Sequence, residues 1–347
     1  MRNKKINPSK NIWVEGTLFG RPFQTYVDHE LAKTMLTNRS DSSVIQLFSN
    51  YSESNLDTET LSEITKKYSF DVATLFFIEK LYEQAKNKEI QDFYLSTIDD
   101  LSLEDKELAM SFLKDYFIVF VPGFKYKNIN NGGNFLKQRR LLDAAGIAHE
   151  MIDIGEVGRV YDNAKIVATR LQELCRLHDN IIVISVSKGG LETAIAMNEL
   201  IDLQNISSIK AWLNVGGTLK GTPVADKWSK PLMYMWLAFG LFWARIKIDL
   251  KGVLFDLSYK RGKEKYKSLD IPTHIYIVNL LAVSIGNELN KKSEFTSPND
   301  RFSPLPDAIA KDGAVVMEMG IDHFFKNVDL NTRMIILLQY IVKQLNK

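Results

Sequence analysis

A serine that is to act as a nucleophile needs a base to take its proton and an acid to orient that base. One stretch offers such a serine: Asn180-Ile-Ile-Val-Ile-Ser-Val-Ser187-Lys-Gly-Gly-Leu-Glu-Thr-Ala-Ile-Ala-Met197. A run rich in β-branched residues from Ile181 to Val186 stops at Ser187, and Lys188, Gly189 and Gly190 follow. Leu191, Ala194, Ile195 and Leu200 then recur at helical spacing. The pattern predicts a strand buried on both faces, a sharp turn and a helix, with Ser187 at the corner. Small residues beside the serine suit such a turn, and the free N–H groups of the new helix face the serine oxygen. An ordinary strand-to-helix turn would use similar residues, so the rest of the chain has to decide.

Of the five histidines, His323 is best placed as the base. It follows the last predicted strand in Met319-Gly-Ile-Asp-His-Phe-Phe325. His29, His149, His178 and His274 fall before, within or at the far ends of predicted elements, where structural roles are expected. For the acid, Asp300 lies in Ser297-Pro-Asn-Asp-Arg-Phe-Ser-Pro304, between the last two predicted strands. Such loops lie at the carboxyl edge of a parallel sheet, on the side of the Ser187 corner. Asp312, in an Asp-Gly pair before a strand, and Asp226 are the competing acids; Asp322 is too close in sequence to orient His323 easily.

The elements that must hold these groups begin at Tyr116, where strands and helices alternate. Strands are predicted at 116–121, 148–154, 181–186, 209–215, 274–282 and 314–319, with helices at 134–145, 163–178, after Ser187, and 331–345. Continuous apolar strands in alternation with helices imply a doubly wound, mostly parallel sheet. No Gly-x-Gly-x-x-Gly stands at the first turn, which argues against a dinucleotide domain. Ahead of this part, residues 12–27 predict a hairpin broken at Gly20-Arg21-Pro22. Residues 28–113 are helical, with polar breaks near 38–43, 52–58 and 99–102. Leu75, Phe76, Ile78, Leu81 and Tyr82 form one apolar face there, and Asp57 or Thr58 with Glu59 could start a helix.

Composition narrows the function. With 347 residues and 45% hydrophobic content, the chain can bury a large core. Its 44 basic and 42 acidic residues nearly cancel, and the lysine clusters at Lys4-Lys5 and Lys260–Lys267 are short. No field directed at nucleic acid results. The single cysteine, Cys175, excludes an intrachain disulfide and fits a buried position on an amphipathic helix. The basic N-terminus is followed by no uninterrupted apolar segment, so it does not read as a secretory signal and a cytoplasmic protein is expected. No metal-ligand cluster is evident, and no cofactor is expected.

From about residue 115 onward the chain resembles the α/β-hydrolases of the esterase and lipase kind. Three segments carry the resemblance: Val121-Pro-Gly-Phe124, Ser185-Val-Ser-Lys-Gly-Gly190, and Pro298-Asn-Asp-Arg-Phe-Ser-Pro304 with Gly320-Ile-Asp-His-Phe324. Asn214-Val-Gly-Gly-Thr-Leu-Lys-Gly-Thr-Pro-Val-Ala-Asp226 is similar to a Gly-Thr/Ser-x-x-Ala-Asp loop of bacterial lipases. Ser187, Asp300 and His323 also stand in that family's order. The resemblance implies Ser187 as nucleophile, His323 as base and Asp300 as acid, with Gly189 and Gly190 as elbow glycines. It further implies an oxyanion hole built from the N–H groups of Phe124 and Lys188. Two positions depart from the family: Ser185 stands where the first elbow glycine is usual, and Arg301 where a glycine often follows the acid. The expected architecture is an α/β-hydrolase domain over 114–347, a helical cap or lid inserted at about 226–270, and a mainly helical extension over 1–113.

The segment Lys230-Pro-Leu-Met-Tyr-Met-Trp-Leu-Ala-Phe-Gly-Leu-Phe-Trp-Ala244 is nearly all apolar, and Arg245, Lys247 and Lys251 lie beyond it. It is shorter than the roughly 20 residues a spanning helix needs. It suits a lid whose Met233, Met235, Trp236, Phe239, Phe242 and Trp243 meet a greasy acyl chain, with peripheral contact to a membrane as an added expectation. A buried cap helix that never meets substrate is the plainer alternative. The function expected is therefore hydrolysis of lipid-like carboxylic esters. An acyltransferase or thioesterase on the same residues, or a non-catalytic binding protein of this fold, are the competing readings.

Overall fold

The computed structural model describes residues 11–51, 56–98, 110–127, 133–201, 206–243, 248–286, 295–326 and 328–347. The basic N-terminal run, the polar break at 99–102, most of that at 52–58, and Arg245 and Lys247 lie outside the described residues, as does the side chain of Phe242.

Strands β1 (Ile12–Leu18) and β2 (Arg21–Val27) pair antiparallel across Phe19-Gly20, whose φ values of 51° and 75° suit a tight hairpin turn. Pro22 is tolerated inside β2 because each strand of a lone hairpin is an edge. Among the described residues the helices that follow are α1 (Glu30–Thr37), α2 (Ser42–Asn50), α3 (Thr58–Lys67), α4 (Phe70–Glu83) and α5 (Ala85–Ile98). The side chains of His29, Asp41, Asp57 and Ser69 accept first-turn N–H groups and so start α1 to α4.

The chain then builds β3 (Phe117–Val121), α6 (Leu136–Ala144), β4 (His149–Met151), α7 (Val160–Cys175) and β5 (Ile181–Val186). Helix α8 (Lys188–Ile195) runs into a π-helical turn (Ala196–Leu200) before β6 (Ile209–Val215). Next come α9 (Pro223–Trp228), α10 (Pro231–Trp243), α11 (Leu250–Asp256), α12 (Tyr259–Lys265), β7 (Tyr276–Val283), β8 (Ala314–Met319) and α13 (Leu330–Leu345). Strands β3 to β8 form one parallel sheet in the order β4-β3-β5-β6-β7-β8. The order reverses between β3 and β5, which makes the crevice outside their carboxyl ends the natural ligand site.

Alternate strand residues serve the two faces. Ile118, Phe120, Ile182, Ile184 and Leu213 pack with α13, and Val119, Val121, Val183 and Trp212 pack with α7. Over β7 and β8 that second face is covered instead by the N-terminal segment: Leu281, Val283, Val315 and Met317 share a cluster with the hairpin, α1, α3 and α4. Helix α5 closes the open edge of β8. The carboxamide of Gln91 accepts from Met317 N–H (2.8 Å) and donates to Met317 O (3.3 Å), and Asn87 Oδ1 accepts from Val315 N–H (2.8 Å). These bonds satisfy edge groups that would otherwise invite another strand.

Two boundaries differ from the sequence pattern for reasons visible in the fold. Helix α7 starts at Val160, three residues early, because the Asp256 carboxylate of α11 accepts the Val160 N–H at 3.1 Å. Strand β4 is only three residues long, because the chain beyond it turns at Gly155, whose N–H and C=O are both bonded to the Asn163 side chain. Replacing Gln91 by Leu leaves both Met317 backbone groups buried without partners. We expect a loss of about 1–3 kcal/mol in urea unfolding with an unchanged denaturant slope; an unaltered midpoint would show that the edge does not depend on Gln91.

Candidate active site

Where β5 becomes α8, Ser187 has φ 55° and ψ −123°, a conformation few residues other than glycine adopt. The neighbouring glycines allow the helix to start there. A Cβ on Gly189 would lie 2.5 Å from Pro122 O and 2.7 Å from Val121 O, and one on Gly190 would lie 2.7 Å from Asn214 Oδ1. Backbone bonds fix the corner: Ser187 N–H donates to Val215 O (3.1 Å), and Ser187 O accepts from Gly190 N–H (3.0 Å) and Thr218 N–H (3.1 Å).

His323, in the loop after β8, is brought to Ser187. Its Nδ1 lies 2.6 Å from Asp300 Oδ2 and its Nε2 lies 2.8 Å from Ser187 Oγ. A carboxylate facing Nδ1 keeps the proton there, so Nε2 is the lone-pair nitrogen that accepts from the Ser187 hydroxyl. Asp300 and His323 are buried while Ser187 is partly exposed. The other oxygen of Asp300 accepts from the N–H groups of Phe302 (2.8 Å) and Ser303 (2.6 Å). The two loops are also joined by His323 N–H donating to Asp300 O (2.8 Å) and by an Arg301–Asp322 ion pair (2.9 Å). The Phe302 ring stacks on the imidazole with centroids 4.6 Å apart.

The structure therefore brings Ser187, His323 and Asp300 together and puts the competing acids elsewhere. Asp226 accepts from Ser258 Oγ (2.5 Å) and Lys260 N–H (3.1 Å). Asp322 pairs with Arg301, and Asp312 sits in a turn with φ 61° whose carbonyl accepts from Lys86 Nζ. The four remaining histidines have local partners: His29 caps α1, His149 lies 3.0 Å from Ile147 O, His178 stacks on Phe117, and His274 lies 3.3 Å from Ile206 O. Burial pushes the Cys175 thiol up to about 11, away from the thiolate a nucleophile needs.

The loop after β3 crosses directly over the corner, and a Cβ on Gly123 would be 3.5 Å from Ser187 Cβ. The N–H groups of Gly123 and Lys125 donate to Gly133 O and Glu156 O, both at 3.1 Å, and the Phe124 N–H lies between them. Lys188 N–H is the first of α8 and has no carbonyl within the helix to bond.

Both departures from the family pattern are accommodated. The Ser185 hydroxyl is buried and accepts the indole N–H of Trp212 at 2.8 Å. Arg301 takes the left-handed conformation a glycine would take, at φ 75°, and is held by its ion pair and by Asn299 Oδ1 accepting its N–H (2.8 Å).

Two groups beneath the site escaped the sequence reading. Asn214 and Asn279 interrupt apolar strands; Asn214 Nδ2 donates to Asn279 Oδ1 (2.9 Å) and to Ala308 O (3.0 Å), tying the 306–310 turn under the sheet end. The Lys188 ammonium folds inward onto Glu192, and Asn163 Nδ2 donates to the same carboxylate at 2.8 Å. Lysine and glutamate four apart usually mark a solvated helix face; only the apolar residues around them hint that this pair is buried.

Of the six residues expected to line a lid pocket, Met235, Trp236, Phe239 and Trp243 are 58–70% exposed, and Met233 is half-buried. The opposite face of α10 carries Tyr234, Leu237, Ala238 and Leu241, which pack with α11 and with Leu191 and Ile195 of α8. The Phe124 ring joins that cluster, so the loop after β3 touches the cap.

Burial raises the Glu192 carboxyl from 4.5 to about 7 against the opposing pull of Lys188. Between those values the folded state holds a proton that the unfolded chain has released. The contribution of Glu192 thus favours folding at low pH and is lost as pH rises through 7. Relative to the wild type, Glu192→Gln should gain stability between about pH 4.5 and 7.5, measured by urea midpoints. A constant difference across that range would contradict the buried proton.

No protein-family profile and no curated protein matches the chain. Among solved structures, a metagenomic carboxyl esterase is similar at 17% identity and a TM-score of 0.51, covering 67% of this chain and 76% of its own. A mature lipase from Bacillus licheniformis is 18% identical with a TM-score of 0.46, over 61% of this chain and 86% of its own. The phospholipase PlaB from Legionella pneumophila is 13% identical with a TM-score of 0.47, over 66% and 60%. With the sheet order above, the first likeness shows the α/β-hydrolase fold.

Proposed function

We propose that this chain, with its α/β-hydrolase fold, is a serine hydrolase of carboxylic esters with apolar acyl groups. The observation that carries the reading is the continuous chain of hydrogen bonds from Ser187 Oγ through His323 to Asp300. Ser187 Oγ attacks the ester carbonyl carbon while His323 Nε2 takes its proton. The imidazolium so formed is stabilised by the Asp300 carboxylate at 2.6 Å. Negative charge that develops on the carbonyl oxygen is met by the N–H groups of Phe124 and Lys188, reinforced by the positive end of α8. His323 then protonates the leaving alkoxide, and the alcohol departs. Water, deprotonated by the same nitrogen, attacks the acyl-enzyme and releases the acid.

On p-nitrophenyl esters of graded chain length, turnover should rise from acetyl toward longer acyl groups. Ser187→Ala and His323→Ala should abolish it within detection, and Asp300→Asn should lower kcat by roughly 10⁴-fold. Retained activity in Ser187→Ala would overturn the assignment. Added alcohols with analysis of the acyl products separate hydrolysis from acyl transfer.

The chain-length preference rests on the cap. Helix α10 is apolar on both faces, and its outer stripe of Leu232, Met235, Trp236, Phe239 and Trp243 is 58–70% exposed. No helix among the described residues is long and apolar enough to cross a membrane. A stripe of this kind, flanked by Lys227 and Lys230, suits lying in the surface of an anionic bilayer, with the indole rings at the headgroup boundary. Trp236→Ser with Phe239→Ser should cut cosedimentation with phosphatidylglycerol vesicles at least tenfold; undiminished binding would remove α10 as the contact.

A further inference from the structure

The cap holds a second feature that the ester chemistry does not use. Helices α9, α10, α11 and α12 enclose a cleft of about 600 Å³, within the roughly 300–1,000 Å³ of small-molecule sites. Its apolar wall is formed by Tyr234, Leu254 and Phe255. Leu254 is buried at the back, in one cluster with Leu191 and Ile195 of α8, whereas Phe255 is 46% exposed. Lys251 and Arg261 also line the cleft, and both are exposed.

The charges in this cleft are unbalanced. Among the described residues lining it the carboxylate is that of Asp226, which already accepts from Ser258 Oγ and Lys260 N–H. Asp249, the acid that feels Lys251, is bonded to Arg159 at 3.1 Å and to Gly252 N–H at 3.0 Å. The Arg261 guanidinium sits 3.5 Å from the centre of the Phe255 ring. Stacking uses the face of the guanidinium and leaves its N–H edge for a planar or tetrahedral anion, a two-point contact that a lysine cannot make. Among the described residues neither cation is in ion-pair contact with a carboxylate, and a greasy wall beside two such cations matches a molecule that is apolar at one end and anionic at the other.

We propose that this cleft binds an anionic amphiphile with a single alkyl chain. Arg261 and Lys251 take the carboxylate or phosphate head, and the chain lies along Tyr234, Leu254 and Phe255. Ser187 is not among the residues that line the cleft, and binding there does not require that serine to react.

Calorimetric titration of the whole 347-residue chain carrying Ser187→Ala tests this without turnover, using ligands below their critical micelle concentrations. Dodecanoate or dodecyl phosphate should bind saturably with one-to-one stoichiometry, and the one that binds tighter identifies the head. Dodecanol and inorganic phosphate should each bind at least tenfold more weakly. Lys251→Met with Arg261→Met should weaken the anionic ligand at least tenfold, with thermal unfolding confirming that the variant folds. Phe255→Ala should weaken it while leaving both cations in place. Absence of saturable binding would overturn the proposal. So would equal binding of dodecanol, equal binding of inorganic phosphate, or indifference to loss of the two cations.

Discussion

The structure turns on the backbone at Ser187. A non-glycine residue at φ 55° and ψ −123° costs of order 1–3 kcal/mol, and it persists only where its surroundings over-determine it. Here they do. Bonds from Val215, Gly190 and Thr218 hold its amide and carbonyl, and Gly189 lets α8 press against the carbonyls of Val121 and Pro122. That same approach puts the loop after β3 over the serine, beside the first turn of α8. A bulkier residue at 189 would separate these parts at once. The strain is therefore the means by which the ends of β3, β5 and β6 are brought to a common site.

Asp300 and His323 reach that point from the opposite half of the sheet, and the loops carrying them are short of regular structure. Their rigidity comes from mutual bonds: a backbone hydrogen bond, an ion pair, the imidazole–carboxylate bond and the stacked Phe302 ring. Arg301 shows how such a loop can hold a residue in a conformation suited to glycine. Its ion pair with Asp322 and the bond to Asn299 offset the backbone cost, and the same ion pair fastens the Asp300 loop to the His323 loop. Ser185 is a parallel case, since its hydroxyl would be an orphan in an apolar strand but for the Trp212 indole.

Much of this was legible in the sequence because it is written in local patterns. The apolar runs of β3, β5, β6 and β8, the two glycines after Ser187 and the loops around Asp300 and His323 all announce themselves by composition and order. The unread parts depend on pairings between distant segments. Nothing near Gln91 says that its carboxamide will close the edge of β8, and nothing near Val160 says that Asp256 will extend α7 by a turn. The burial of the Lys188–Glu192 pair is hidden for a related reason: four-residue spacing alone suits a solvated pair, and only the tertiary fold buries it. The outer stripe of α10 is the reverse case, an apolar pattern that signals burial yet is left exposed.

The central claim is that Ser187 is activated by its contact with His323. The direct measurement is intact-protein and peptide mass spectrometry after treatment with a fluorophosphonate, with and without detergent. One adduct per chain is expected, on Ser187, and it should be lost in His323→Ala. A folded wild-type protein that acquires no adduct in either condition, or acquires it on another residue, would contradict the account.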